Sequence, residues 1–373
     1  MEVTAAPDLE QLRAWSYRRQ LLAEPADDAM DALHGVVAVY SSHPSAPLSL
    51  LARTRGFGAG WLGEAEARRQ VVRLSGPRGS IHLMPVDTAP RIFAPVRLPL
   101  DKFAGNLAYA KIERAEYDAL KARMPEILRE PMTPAEAQAA FGMGANLMTA
   151  LRVMAYEGLV LRLGGSLRTD VLRYVSTEAW LGHPLDEPDA DESLRWLAME
   201  YLRAFGPARV KDVAWWIGAS QKHAAEALKD ADTVDVGGGM LLPANQKAAF
   251  ASVQPIDPDA IALLPKWDAY TMGYAPDGRR RFVADEHLPF AYSKAGTGGA
   301  GATSGDGNPL LLRGGRAIAA WSHKFAGHKM TVEVTPFEPR ALASLSLNSL
   351  FDEIGHLLGA RSVTAKIGEP ALI

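Results

Sequence analysis

Tyr40, Ser41, Ser42 and His43 stand side by side in "VYSSHPSAPLSLLARTRGF" (39–57), between an apolar run and a helix that carries arginines. These residue types can handle water. A neutral His43 orients or deprotonates a water molecule near pH 7, and Ser42 can hold it. Tyr40 offers a flat face on which a base or a sugar could stack. A nucleophilic Ser42–His43 pair is not expected, because adjacent side chains diverge in a helix or a strand and no third, orienting residue is evident. The same turn also reads as a cap, with Ser42 as N-cap of a helix starting near Ala46 and His43-Pro44 as its rigid lead-in. Both readings stand at this point.

Charge near this turn suggests a partner. Net charge over the 373 residues is only −3, yet residues 48–100 hold eight arginines against Glu64, Glu66 and Asp87. A local excess of this kind tracks phosphates, since affinity for a nucleic-acid backbone depends on local charge rather than on the total. A solvated surface is the competing reading. His82, in "GSIHLMP", is either a core histidine or a nucleic-acid contact. Asp268, in "KWDAY", reads better as a buried carboxylate bonded to backbone amides than as a site carboxylate. Trp215 and Trp216 read mainly as core. His323, His328 and His356 lack metal-ligand spacing, so no metal site is expected. The Gly-rich stretch 294–309 lacks the strand-to-helix setting and the Lys-Ser/Thr ending of a phosphate-binding loop, so no nucleotide cofactor is expected there.

The elements that must position these residues follow from patterning. Cysteine is absent, so disulfides and thiolate metal sites are excluded, and a reducing cytoplasm is the expected location. The N-terminus lacks the pattern of a secretory signal, and no run of roughly eighteen apolar residues suggests a membrane span. In residues 133–176, Thr133 is a predicted N-cap with Pro134 at the first helical position. A glycine-bearing turn, an amphipathic helix and a hairpin follow. Helix, turn, helix and hairpin together predict a winged helix. "GPARVKDVAWWIGAS", "QKHAAEALKD" and "TVDVGGGMLLP" repeat that grammar, and residues 1–110 fit it with "GPRG" as the hairpin turn. From residue 256 short apolar strands dominate, "RRRFVAD" among them, followed by a helix over "PRALASLSLNSLFDEIGHLLGA". The expectation is an α+β chain of tandem winged-helix modules at 1–110, 111–185 and 186–255, then a small β-rich C-terminal module at 256–373.

Three stretches on top of these modules, "GPRGSIHLMP" (76–85), "LLPKWDAYTMGY" (263–274) and "LLLRGGRAIAAWSHK" (310–324), resemble the winged-helix DNA glycosylases of the AlkZ/YcaQ type. In that family an Arg-Gly-Thr-x-His-Leu strand, an apolar run ending in (Phe/Trp)-Asp-x-Tyr-x-x-Gly-Tyr, and a Gly-Arg…Gly-x-Trp strand recur in this order. The resemblance implies a C-shaped monomer that cradles double-stranded DNA. It also implies DNA repair by hydrolysis of the N-glycosidic bond of alkylated or otherwise damaged bases, with no metal and no cofactor. The family's reaction centre is Gln-x-Gln or Gln-x-Asp before a proline-bearing turn and a Leu-x-Ala-Arg helix end. Alignment on Pro44 and on "LLAR" (50–53) puts Tyr40 and Ser42 at the two functional positions, with Ser41 as spacer and His43 after them. The implied catalytic residues are therefore Tyr40, Ser42 and His43, and the implied DNA contacts are Arg53, Arg55, Arg78 and His82. Neither family glutamine is present, so a protein that binds duplex or damaged DNA without cutting it is the alternative.

Overall fold

The structure is a computed structural model of the chain and describes residues 5–41, 45–164, 166–169, 171–292 and 306–369. It has a mixed α/β architecture with several small sheets. The chain forms two compact units: Gly60–Leu197, and a second in which Met1–Ala59 joins Ala198–Ile373.

Within Gly60–Leu197, the helix Trp61–Ala67 precedes a hairpin of Val71–Ser75 and Ile81–Pro85, antiparallel with Ser75 opposite Ile81. Its turn is the expected "GPRG". Arg78 lies at φ 56 and Gly79 at φ 68, in the left-handed region that costs a side chain strain and a glycine little. Every residue of the two strands is buried. Further along, Thr133 and Glu136 cap Pro134–Phe141 reciprocally, each side chain accepting from the other's backbone N–H. Gly142, at φ 68, ends that helix, and Leu147–Tyr156 follows. Leu147, Leu151 and Met154 lie on one face at helical spacing and join Tyr117, Leu120 and Met124 of the helix Arg114–Ile127 in a single core. Each such buried side chain contributes about 1.5–3 kcal/mol. The antiparallel hairpin Val160–Gly164 and Leu172–Ser176 completes this part, with Arg162 directly opposite Tyr174.

In the second unit the helices Val210–Ile217 and Gln221–Leu228 meet at a turn where Gly218 has φ 89 and Ser220 caps the second helix through the His223 N–H. A short hairpin, Thr233–Asp235 with Leu241–Pro243, follows. The C-terminal strands form a five-stranded sheet in the order Ser362–Ile367, Lys329–Pro336, Arg316–Ala326, Leu310–Arg313, Ile261–Leu264. Trp216 is buried as expected of core, and Trp215 is half-buried.

Two expectations need correction here. "RRRFVAD" is not a strand: Pro276–Arg281 is a 3-10 helix, in which the buried Arg279 and Arg281 sit 3.9 and 3.8 Å from the rings of Tyr292 and Tyr274. Stacking of guanidinium on phenol is a tertiary gain that a local apolar pattern does not reveal. The last helix is shorter than expected, Leu347–Leu357, and the strand Ser362–Ile367 after it was not anticipated. That strand pairs parallel with Lys329–Pro336, and the helix supplies the crossover that a parallel pair requires. Phe351 packs on Trp321 with ring centres 5.4 Å apart, and a Cβ on Gly355 would meet Val363 at 2.2 Å, so only glycine lets this helix approach its sheet. Among the described residues, no helix is long and apolar enough to cross a membrane.

Candidate functional site

Tyr40 ends the strand Val39–Tyr40, and Ser41 after it is buried. Ser42, His43 and Pro44 lie outside the described residues, and so does most of the Gly-rich stretch 294–309. The helix that follows is Ala46–Leu51. Its N-cap position is Ser45, which makes no side-chain capping bond; the cap reading of Ser42 lies outside the described residues. The half-buried Tyr40 packs against Trp267, with ring centres 4.6 Å apart and planes at 50°.

Trp267 holds an uncommon backbone conformation, φ 57, and its N–H donates to Gly307 O at 3.3 Å. A non-glycine residue there costs on the order of 1 kcal/mol or more and persists only where its surroundings enforce it. On the same indole, Lys266 Nζ lies 4.0 Å from the ring centre while it pairs with Asp306 at 3.4 Å. Tyr40, Trp267 and Lys266 thus form one half-buried aromatic and cationic ledge.

Next to Trp267 in the chain, Asp268 belongs to an enclosed ion pair. Arg53 Nη2 donates to Asp268 Oδ1 at 2.7 Å and Nη1 to Oδ2 at 2.8 Å, a bidentate contact with both side chains fully buried. Ser49 Oγ donates to Oδ2 at 2.5 Å, and the Tyr270 N–H donates to Oδ1 at 2.9 Å, which makes Asp268 the N-cap of Ala269–Met272. Four donors on one carboxylate satisfy its lone pairs, the condition under which a buried pair is tolerated. Residues 40 and 53 are therefore anchored to the adjacent residues 267 and 268.

The remaining expected residues fall in different surroundings. Arg53 is enclosed, with Nη1 and Nη2 directed to Asp268, Nη1 also to Ser49 O at 2.9 Å, and its Nε without a partner among the described residues; no part of it reaches the surface. Arg55 is exposed and pairs with the exposed Asp27. Arg78 is half-buried in the hairpin turn. His82 is buried, with Nδ1 3.0 Å from Ser80 O and its ring against Gly76, where a Cβ would come within 2.9 Å. Burial, aided by the nearby Arg78 and opposed by the Ser80 carbonyl, pushes its pKa down to about 4, so at neutral pH His82 carries no charge for a phosphate.

The arginine-rich window looks different in three dimensions. Arg68 meets Glu64 at 3.4 Å, Arg73 pairs with Glu66, and Arg97 meets Glu187 at 2.6 Å. Arg69 and Arg91 lie over Trp180 and Trp196, at 4.9 and 4.6 Å. Of the excess along the chain, Arg53, Arg55 and Arg97 meet carboxylates from outside the window, Asp268, Asp27 and Glu187. Sequence reasoning missed Lys266 and Trp267, although their place beside Asp268 in "KWDAY" was a usable signal. It also missed Arg162, whose alternation in "LVLRLG" reads as solvent-facing but which is 6% exposed. Among the described residues, no group of histidines and carboxylates has the makings of a metal site.

A family model described as DNA glycosylase AlkZ-like matches residues 13–359. No curated protein matches. Among solved structures, Streptomyces sahachiroi DNA glycosylase AlkZ superposes with a TM-score of 0.72 over 97% of this chain and 100% of that one, at 18% identity.

Proposed function

Because the chain belongs to the AlkZ-like DNA glycosylase family, we propose that it binds duplex DNA and hydrolyses the N-glycosidic bond of an alkylated base, with Tyr40, Ser42 and His43 in place of the family's Gln-x-Gln or Gln-x-Asp. The helix–turn–helix–hairpin runs at 133–176 and 210–243 are, on this reading, winged helices that hold the duplex by its backbone. Modules 1–110, 111–185, 186–255 and 256–373 are its working parts.

Little is asked of the protein in this reaction. A cationic N7- or N3-alkylpurine leaves as a neutral base, taking the bond's electron pair, so no general acid is needed. The sugar that remains is oxocarbenium-like, and water adds to its anomeric carbon and loses a proton. The site must stabilise that cation and place that water. His43 receives the proton, Ser42 holds the water, and Tyr40 lies against the sugar or base. Arg55 and Arg78 meet phosphates. The role of Arg53 is internal: it holds the helix after the reaction turn to Asp268.

One observation carries this reading. The turn that replaces the glutamines begins at an aromatic ledge, Tyr40 on Trp267 with Lys266 above the indole, which suits a stacked base and an adjacent phosphate. The decisive assay mixes excess protein with methylated duplex and measures free 7-methylguanine. Release is expected, with at least a tenfold lower rate in Tyr40→Ala. Absence of release from a broad panel of lesions would overturn the enzymatic reading. The loss of both glutamines favours one other reading, recognition without cutting. In that case the wild type binds duplex DNA in a salt-dependent manner and releases no base, whereas Tyr40→Gln with Ser42→Gln gains activity.

A further inference from the structure

Arg162 is a buried cation that meets no carboxylate among the described residues. It is 6% exposed, and its Nε and Nη2 are shielded from solvent with no hydrogen-bond partner. No salt bridge reaches it from the described residues. Its surroundings are two phenols and a like charge. Tyr174 stands directly opposite on the neighbouring strand, and the Tyr156 ring centre lies 5.9 Å from its guanidinium carbon. The exposed Arg152, on the helix Leu147–Tyr156, repels it, and burial and that repulsion both push its pKa below the ordinary arginine value. An arginine does not shed its proton in water-accessible pH ranges. A buried charge is costly unless a counter-charge meets it, and the two phenols here are neutral, so the site is suited to an anion from outside the chain.

We infer that Arg162 and Arg152 form an anion site between the helix Leu147–Tyr156 and the paired strands Val160–Gly164 and Leu172–Ser176, and that its ligand is a phosphate of the DNA backbone. The complementary chemistry follows from the groups present. The guanidinium offers several N–H donors in a plane, a phosphate offers acceptor oxygens at matching spacing, and two phenols frame the site. An arginine on the helix and another on the hairpin would grip the backbone from both sides of the turn, as phosphate contacts that position a protein without reading sequence. The inference rests on the DNA-binding reading above and names residues to which that reading assigns nothing.

Two variants test it in the full-length protein, with a short fluorescent duplex titrated by anisotropy over a range of salt. Arg162→Met keeps the apolar stem and removes the charge, and Arg152→Gln changes an exposed residue that the core does not need. Each is expected to weaken duplex binding about tenfold and to lower the slope of log affinity against log salt by roughly one. Arg162→Met is also expected to leave Tm unchanged or raise it, since it removes an unpaired buried charge. A merely structural arginine gives the opposite pattern, a lower Tm with unaltered DNA affinity and salt slope, and that result overturns the proposal. If Arg162→Met does not fold, Arg152→Gln alone decides: an unchanged salt slope overturns the proposal. If the wild type fails to bind duplex at all, the functional reading fails, and inorganic phosphate then tests the site by itself. It must raise the Tm of the wild type more than that of the variants, and equal shifts overturn the site.

Discussion

Arg53 and Arg162 are both enclosed by protein, one in each unit, and they differ in what meets their charge. Arg53 meets Asp268 through two bonds of 2.7 and 2.8 Å, and Ser49 and the Tyr270 amide complete the carboxylate's partners. Arg162 has two phenols and a repelling arginine. His82 shows a third outcome. It is buried like Arg162, but an imidazole can release its proton, and its pKa falls to about 4. A buried histidine can release its proton; a buried arginine instead pairs with a carboxylate, as Arg53 does, or stacks on a phenol ring, as Arg279 does on Tyr292. Arg73, paired with Glu66 at 5% and 8% side-chain exposure, belongs with Arg53.

The largest expected effect comes from breaking the closed pair. Asp268→Asn leaves Arg53 as an uncompensated buried charge and should destabilise the protein by about 3–5 kcal/mol in denaturant unfolding. The double change Arg53→Met with Asp268→Leu should recover most of that loss. About 1 kcal/mol should remain missing, because the N-cap bond to Tyr270 is gone as well. A cost below about 1 kcal/mol for Asp268→Asn would mean that the pair does not hold the 46–53 segment.

His82 sharpens the contrast through pH. Its folded pKa, about 4, lies below the ordinary 6.5, so the unfolded chain binds more protons throughout that interval. Stability from this residue is therefore complete above about pH 6.5 and is lost as pH falls toward 4. Between pH 7 and pH 4 the wild type should lose about 3 kcal/mol more than His82→Gln does. Parallel pH profiles of the two proteins would show that the histidine takes up its proton inside the fold.

The smallest effect is expected at the surface. The Arg55 and Asp27 side chains are 58% and 88% exposed, so Arg55→Ala should cost no more than about 0.5 kcal/mol. A duplex titration of the same variant separates its roles. Near-wild-type stability with weaker binding is the expected pattern, and unchanged binding would remove Arg55 from the DNA contacts.

Local pattern was enough to read some of this protein from its residues. The Thr133–Glu136 capping box, the "GPRG" turn and the helix pairs at 134–156 and 210–228 follow from bonds and spacings within a few positions, and the order of three separated stretches carried the family. Asp268 was also legible as a buried cap. The sequence alone did not show that Pro276–Arg281 would coil so that two arginines face tyrosines, or that residues 362–367 would add a parallel strand. Nor did it show which arginines of the 48–100 window keep their charge at a surface. Asp268 lies 215 positions from Arg53, and Glu187 lies 90 from Arg97. Charge is counted along a chain but neutralised through space. Only the tertiary structure decided that Arg53 meets a carboxylate and that Arg162 meets none among the described residues.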